Sequence, residues 1–324
     1  MSEAARAGRQ TLGEVAASLW DKDGLGAVIL AIADGARRVA QRVQSAAIEG
    51  ILGATGDINV QGEAVQHLDA LGSDIFVDTL MKSGNVVAIG SEEIEDATIA
   101  EGGDGTGFMV HMDPVDGSSN GDAALSIGSI FGIWHNDTQG PLSESTLLRP
   151  GNEQVAAAYI VYGTSTVLVA AVQGSVQGFT LDSTTGEFLV THPDIRIPER
   201  CQYYSANHGN FGKWDGPTQQ AVAALQDMYS LRYVGSLVCD FHRNLLKGGI
   251  FLYPKDIESP EGKLRLMYEA NPLGYIAEQA GGAASTGAQR VLDVQPERLH
   301  QRSPLIIGNR DAVEDTVSLM RGYL

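Results

Sequence analysis

The chain has only two cysteines in 324 residues, Cys201 and Cys239, far apart and outside any C-x-x-C spacing. A disulfide framework is excluded, and the two read as ordinary thiols of a reducing compartment. Positive charge is scarce as well: 22 Lys and Arg against 40 Asp and Glu leave a formal net charge of −18. Phosphate backbones need a basic face, so nucleic acid is excluded as a partner. A small phosphorylated substrate is not, because it needs only a few local cations and a bound metal. Long hydrophobic runs are missing too. Nothing reaches the roughly 18 uninterrupted apolar residues of a membrane-spanning helix. The nearest stretch, 155–172, is broken by Tyr162-Gly163-Thr164-Ser165-Thr166 and reads as two strands and a turn. Met1 to Arg6 lead into mixed polar residues without the apolar core of a secretory signal, and nothing supports a transit peptide, so a cytoplasmic location is expected. Repeats and low-complexity segments are absent.

What is present is ordinary for a globular protein, 43% hydrophobic and 19% charged. The length suffices for one large domain or two moderate ones. Apolar spacing predicts a helix over 27–47, with Arg37, Arg38 and Arg42 on its polar side, and another over 63–82. Between them, 49–57 is glycine-rich without periodicity and reads as a mobile loop. Residues 86–90 form a short buried strand ending directly before Ser91-Glu92-Glu93. From 109 to 194 the pattern is β-rich, with runs at 127–134, 155–161, 166–172, 177–181 and 187–192. The turn Asp182-Ser183-Thr184-Thr185-Gly186 joins the last two as a hairpin. Beyond Pro198, helices are expected near 218–228, 237–247, 272–280 and 312–320, with strands near 250–253 and 305–307. The expected fold class is α/β with α+β character in the N-terminal half, cut near 195 into domains 1–194 and 195–324.

The strongest local signal is Met112-Asp113-Pro114-Val115-Asp116-Gly117-Ser118-Ser119-Asn120. A strand delivers Asp113. Pro114 fixes φ and removes a donor, so the chain is expected to turn with both carboxylates on one side. Gly117 allows close backbone approach, and Ser118-Ser119 would begin a helical turn whose N–H groups face an anion. Two hard oxygen ligands beside a phosphate cradle suit Mg²⁺, which keeps waters and takes few carboxylates. Alone, the segment is equally well a capped strand end. Glu92-Glu93 at another strand end adds to the metal reading. Glu63, Asp69 and Glu269 are uninformative singly, yet carboxylates recur at element ends.

These residues, with Gln61-Gly62-Glu63, Leu68-Asp69, Arg232-Tyr233-Val234-Gly235-Ser236, Gly248-Gly249-Ile250-Phe251-Leu252-Tyr253-Pro254, the run from Gly262 to Pro272 and Leu299-His300-Gln301-Arg302, resemble class I fructose-1,6-bisphosphatase of the lithium-sensitive, metal-dependent phosphatase superfamily. The resemblance runs in order from about residue 10 to the C-terminus. It implies a layered α-β-α-β-α sandwich, a homotetramer, and Mg²⁺ as cofactor with Mn²⁺ as a substitute. The implied reaction is in-line attack on the 1-phosphorus of fructose 1,6-bisphosphate by a metal-activated water, a step of gluconeogenesis and of the Calvin cycle, between which the sequence does not choose.

The resemblance also implies roles by position. Glu92, Asp113, Asp116 and Glu269, with the Val115 carbonyl, match metal ligands. Glu93 matches a residue that activates the attacking water, helped by Asp69, and Glu63 matches an acidic position on a mobile loop. Gly117, Ser118 and Ser119 match contacts to the 1-phosphate. Asn207, Tyr233, Tyr253 and Lys263 match contacts to the 6-phosphate, and Arg232 matches an arginine reaching in from a neighbouring subunit. Lys263 and Arg265 also concentrate positive charge where a dianion must sit. Sedoheptulose 1,7-bisphosphate stays open as an alternative or second substrate. An inositol-phosphate phosphatase would have no use for the second phosphate grip, and a non-catalytic sensor would be expected to lack one of Glu93, Asp69 or Glu92.

The chain departs from its relatives in places. Animal-type members are inhibited by AMP near the N-terminal helices, where the resemblance wants a lysine-tyrosine pair and an arginine. Gly107-Phe108 and His135 stand there instead, so weak or absent AMP inhibition is expected. The cysteine-bearing insertion of chloroplast forms is absent, and thioredoxin control is not expected. His208 stands where many relatives carry glutamate, and His67, His111, His192, His242 and His300 read as structural.

Overall fold

In the computed structural model the described residues are 8–58, 64–102, 105–137 and 139–322. Helix α1 (Leu12–Leu19) begins at a capping box: the Thr11 hydroxyl accepts the Glu14 N–H, and the Glu14 carboxylate accepts the Thr11 N–H. Helix α2 (Leu25–Glu49) buries Val28, Ile29, Ile32, Ala36, Val39 and Ala40, the stripe its periodicity foretold, and stops where Gly50 adopts φ 69°. The glycine-rich loop differs from expectation. Strand β1 (Ala54–Ile58) pairs antiparallel with β2 (Ala64–Gln66), so α3 (His67–Lys82) starts four residues later than the spacing suggested. A pairing made by main-chain groups leaves no periodic trace in the side chains. Glu63, with Gln61 and Gly62, lies outside the described residues.

The larger sheet contains β3 (Val86–Ser91), β4 (Thr98–Ile99), β5 (Gly107–Asp116), β6 (Ile127–Asn136), β7 (Ala156–Tyr162), β8 (Thr166–Val172), β9 (Ser175–Asp182) and β10 (Glu187–His192), in the order β10-β9-β8-β7-β6-β5-β3-β4. Only the β3–β5 pair is parallel. Helices cover both faces, which is why strands such as β6 and β7 read as unbroken apolar runs. A short helix α4 (Glu144–Leu147) follows β6.

The smaller sheet, order β12-β11-β13-β17-β15, is built from β11 (Tyr203–Ala206), β12 (Ser230–Leu231), β13 (Gly249–Tyr253), β15 (Ala283–Ser285) and β17 (Leu305–Gly308). A two-residue ribbon joins β14 (Leu264–Arg265) to β16 (Arg302–Ser303). The helices of this half are α5 (Gly216–Met228), α6 (Leu237–Lys247), α7 (Asn271–Gln279) and α8 (Arg310–Met320).

Three apolar cores stack the elements into five layers. Helices α1 to α3 pack on one face of the large sheet through Leu12, Ile29, Phe76 and Phe131. Helices α6 and α7 fill the space between the sheets, where Phe241 and Ile276 meet Tyr159 from one side and Phe251 and Ile307 from the other. Helices α5 and α8 close the far side through Val222, Leu225, Val313 and Val317 against Tyr204, Ile250 and Ile306. This is the α-β-α-β-α sandwich. Among the described residues no helix is long and apolar enough to cross a membrane.

Candidate metal centre and phosphate cleft

Asp113 and Asp116 lie three residues apart on one strand, where ordinary pleating would send them to opposite faces. The register of β5 against β6 shows how this is avoided. Asp113 faces Ile130 and Asp116 faces Gly128, so β5 advances three residues while β6 advances two. The extra residue is a bulge, and it returns both carboxylates to one side. Pro114 lies inside it, where no ladder donor is required, and its carbonyl accepts the Ser129 hydroxyl at 2.6 Å. The Asp113 carboxylate accepts the Val115 N–H at 3.1 Å. A bulge therefore replaces the turn expected from the sequence.

After Asp116 the chain passes Gly117 at φ 74° into a 3₁₀ helix, Ser118–Ala123. A Cβ on Gly117 would stand 2.6 Å from the Ser236 Cβ, so only glycine lets the two segments meet. The Ser236 hydroxyl donates to Asp116 Oδ2 at 2.7 Å, and the Val238 N–H donates to the same oxygen at 2.9 Å. Asp116 thereby caps the start of α6 from 120 residues away. The role of Ser236 was missed in the sequence. A serine before an apolar helical run is an ordinary N-cap signature, but this hydroxyl faces Asp116 and makes no cap of its own helix.

Glu269 arrives from the second half of the chain, on a π-helical turn, Leu266–Ala270, directly after β14. Oxygens of Asp113, Asp116 and Glu269, all buried, lie within 4.8 Å of one another. A cleft of about 260 Å³ gathers these three with Asp69, Glu92, Glu93, Val115, Gly117, Ser118, Ser119 and Arg265, and adds Gln66, which carries no signal of its own in the sequence. Arg265 does not stand off with Lys263 as charge for the distant phosphate. Its guanidinium reaches Glu92 at 2.9 Å and its backbone N–H donates to the Glu269 carboxylate.

The other predicted contacts collect at neighbouring strand ends. Ala206 pairs with Leu252, so Asn207 and Tyr253 follow at the same ends of parallel β11 and β13. Tyr253 pairs with Leu305 on β17, while Leu264, next to the exposed Lys263, pairs with Ser303 two residues before Leu305. Burial, then Tyr253, Asp240 and Asp116 nearby, push the Tyr233 hydroxyl up to about 12, so it stays protonated and able to donate. Arg232 is exposed and lies over the Tyr203 ring, 5.5 Å from its centroid. His208 has a packing role: its Nε2 lies 3.1 Å from the Tyr204 hydroxyl, and its ring stacks near Phe211. His111, His242 and His300 pair respectively with the Leu147 carbonyl, the Tyr159 hydroxyl and the Tyr268 hydroxyl.

The electrostatics fit a hard divalent cation. Burial raises Asp113 well above the usual carboxylate range, and Glu92, Asp116, Glu269 and Asp69 push it further. Glu269 is raised in the same way, by burial first and then by Glu92. Asp116 is raised by burial, with the Ser236, Val238 and Leu237 donors pulling against it. An all-oxygen set of crowded, buried carboxylates is costly unless positive charge enters, and it matches Mg²⁺ or Mn²⁺ over thiophilic metals.

A pH dependence follows. Carboxylates whose folded pKa exceeds the unfolded value stabilise the fold at low pH and lose that contribution as pH rises through the folded value. The metal-free protein should therefore lose stability above the ordinary values of 3.8 for Asp and 4.5 for Glu. A divalent cation entering the cluster would have to displace those protons, so its stabilising effect should grow with pH. Thermal unfolding in EDTA and in Mg²⁺ from about pH 5 to about pH 8 checks this: the gap between melting temperatures should widen steadily. A pH-independent gap would refute it.

Comparisons with known proteins agree with this geometry. The family model for the N-terminal domain of fructose-1-6-bisphosphatase matches residues 8–193, and that for its C-terminal domain matches 197–321. A cytosolic fructose-1,6-bisphosphatase of Arabidopsis thaliana is 47% identical over 291 residues, covering 88% of this chain and 85% of its own. A class 1 fructose-1,6-bisphosphatase of a Synechococcus strain is 48% identical over 298 residues, covering 90% of each chain. The crystal structure of Leishmania major fructose-1,6-bisphosphatase in holo form superposes with a TM-score of 0.92 at 38% identity, over 97% of this chain and 99% of that one. Two domain models that together span nearly the whole chain, in order, place it in one family: it belongs to the fructose-1,6-bisphosphatases.

Proposed function

We propose that the protein hydrolyses the 1-phosphate of fructose 1,6-bisphosphate to fructose 6-phosphate and inorganic phosphate, using Mg²⁺ in the carboxylate cleft. The observation that carries this is the convergence of Asp113, Asp116 and Glu269 within 4.8 Å, beside the turn at Gly117-Ser118-Ser119. Asp113, Asp116, Glu269 and Glu92, with the Val115 carbonyl, hold the cation. Bound there, it supplies positive charge against the phosphoryl oxygens. Gly117, Ser118 and Ser119 cradle the 1-phosphate. Glu93, helped by Asp69, orients a water in line with the phosphorus and takes its proton. As its bond to phosphorus breaks, the sugar oxygen takes a proton from solvent and leaves as the hydroxyl of fructose 6-phosphate. Asn207, Tyr233, Tyr253 and Lys263 grip the 6-phosphate, with Arg232 supplied across a homotetramer interface. In this reading 1–194 and 195–324 are two domains sharing one site, since Glu269 and Arg265 come from the second.

Cytoplasmic location is supported by the cytosolic Arabidopsis relative. Weak AMP inhibition is supported near the helix starts. His135, where animal-type relatives would offer an arginine, meets the Phe108 ring edge-on, 4.9 Å between centroids. The Asn85 side chain crowds the start of α2, where a Cβ on Gly24 would collide with its Oδ1.

A metal-and-substrate panel on the purified protein tests the proposal. Phosphate release should require Mg²⁺ or Mn²⁺, stop in EDTA, favour fructose 1,6-bisphosphate over sedoheptulose 1,7-bisphosphate, and be untouched by micromolar AMP. Faster turnover of the seven-carbon substrate would move the assignment to that sugar, and metal-independent release would sink it.

A further inference from the structure

Asp240 sits on the first turn of α6, fully buried, and does not face the carboxylate cleft. Its carboxylate accepts the Val234 N–H at 2.9 and 3.1 Å and the Gly235 N–H at 3.2 Å. Nη2 of Arg243, one turn along the helix, lies 2.7 Å from this carboxylate, 2.7 Å from the Ser205 hydroxyl and 3.1 Å from the Arg232 carbonyl, sharing its two hydrogens among them. The Arg232 N–H is tied in turn to the Tyr204 carbonyl at 2.9 Å. Every one of these contacts holds the loop from Arg232 to Gly235 or anchors Arg243 beside it.

Beyond these the loop receives a long hydrogen bond from the Asn120 amide to the Val234 carbonyl, at 3.4 Å. Tyr233 and Val234 are each 37% exposed, and Gly235 takes φ 87°, so neither apolar packing nor backbone preference fixes its path. A buried ion pair is rarely the most stabilising way to fill a core. Here Asp240 accepts both of its backbone hydrogen bonds from one loop, Arg243 reaches the Arg232 carbonyl of the same loop, and that loop carries Tyr233 and Arg232.

We propose that Asp240, together with Arg243, is a positioning residue for the phosphate at the sugar's far end: it fixes the Val234–Gly235 backbone and so sets where Tyr233 stands. This rests on the reading of Tyr233 as a contact to that phosphate. Asp240→Asn keeps the shape but removes the charge and one acceptor, so the loop loosens while the metal carboxylates stay in place.

The test is steady-state kinetics of the full-length enzyme with Mg²⁺. Asp240→Asn should raise KM for fructose 1,6-bisphosphate and Ki for fructose 6-phosphate about tenfold, leaving kcat within about threefold. The Ki for inorganic phosphate and half-saturating Mg²⁺ should stay within about twofold. Arg243→Lys, which retains the charge but is too short to put a donor where Nη2 makes all of these contacts, should move the same constants in the same direction, and it decides the matter alone should Asp240→Asn prove insoluble. Tyr233→Ala separates the two ideas. If it leaves the fructose 6-phosphate Ki unchanged, the reading of Tyr233 is wrong. If it weakens fructose 6-phosphate while Asp240→Asn and Arg243→Lys bind it normally, the positioning role is overturned. Equal loss of fructose 6-phosphate and inorganic phosphate in Asp240→Asn also overturns it, because the carboxylate would then support the whole site.

Discussion

Asp116→Asn and Glu269→Gln lower turnover of fructose 1,6-bisphosphate by on the order of 10³-fold, yet the metal-free variants melt a few degrees higher than the parent. The first effect follows from what a cation contributes. Several kcal/mol of charge stabilisation on a phosphoryl group corresponds to about three powers of ten in rate. The second follows from the crowding of Asp113, Asp116 and Glu269 within 4.8 Å in a buried setting. An amide removes one repelling charge while still accepting the hydrogen bonds that matter locally. In Asp116→Asn the amide oxygen still accepts the Val238 N–H, and in Glu269→Gln it still accepts the Arg265 N–H. Turnover assays paired with melting curves in EDTA read both effects. Near-normal rates in either variant would mean that the cluster does not hold the working cation. A lower metal-free melting temperature in both would mean that the carboxylates are not in conflict there.

Arg265→Met should act in the opposite direction on stability. Asp69, Glu92, Glu93, Asp113, Asp116 and Glu269 line the cleft, and Arg265 is the one cation among its described lining residues. Its guanidinium is almost wholly buried against Glu92. Methionine would fill much of the space but leave Glu92 without its counter-charge, a loss of about 3–5 kcal/mol for a broken buried pair. The expected result is a melting temperature lower by roughly 5–10 °C in EDTA, with a smaller drop when Mg²⁺ replaces some of the missing charge. Unchanged melting with and without Mg²⁺ would show that Glu92 is neutral in the folded protein and that the pair contributes nothing. One electrostatic picture thus predicts opposite stability changes for substitutions within the same cleft.

Much of this arrangement is legible in the amino-acid sequence. The stripe of α2, both ends of α6 and the run of strands from β6 to β10 follow from spacing and turn residues, because each is set by local burial. The Asp113–Asp116 motif suited a metal site and a capped strand end equally well, and it did not show how an odd spacing could serve a metal. The bulge depends on the register of β6, and register is a property of two strands. The β1–β2 pairing was hidden for a similar reason, its bonds being made by the main chain. Glu269 was visible only through family resemblance, since a lone glutamate on a buried turn carries no signal of its own. Ser236 and Asp240 escaped altogether: each looks like a routine residue at a helix start, and their partners lie across a tertiary contact or in a preceding loop.

The single surplus residue in β5 has a further consequence. It makes the parity of the chain between Asp113 and Asp116 matter more than the identity of what lies between them. Exchanging Val115 for another apolar residue alters the filling of one small volume. Deleting it would remove the surplus residue and the odd spacing together, so both acidic groups would keep to one side, but Pro114 would be left in a regular ladder and the Val115 carbonyl would be lost from the cleft. What the site does not tolerate is a change in one without the other: flattening the bulge while keeping the three-residue spacing would turn one acidic group to the far side of the sheet.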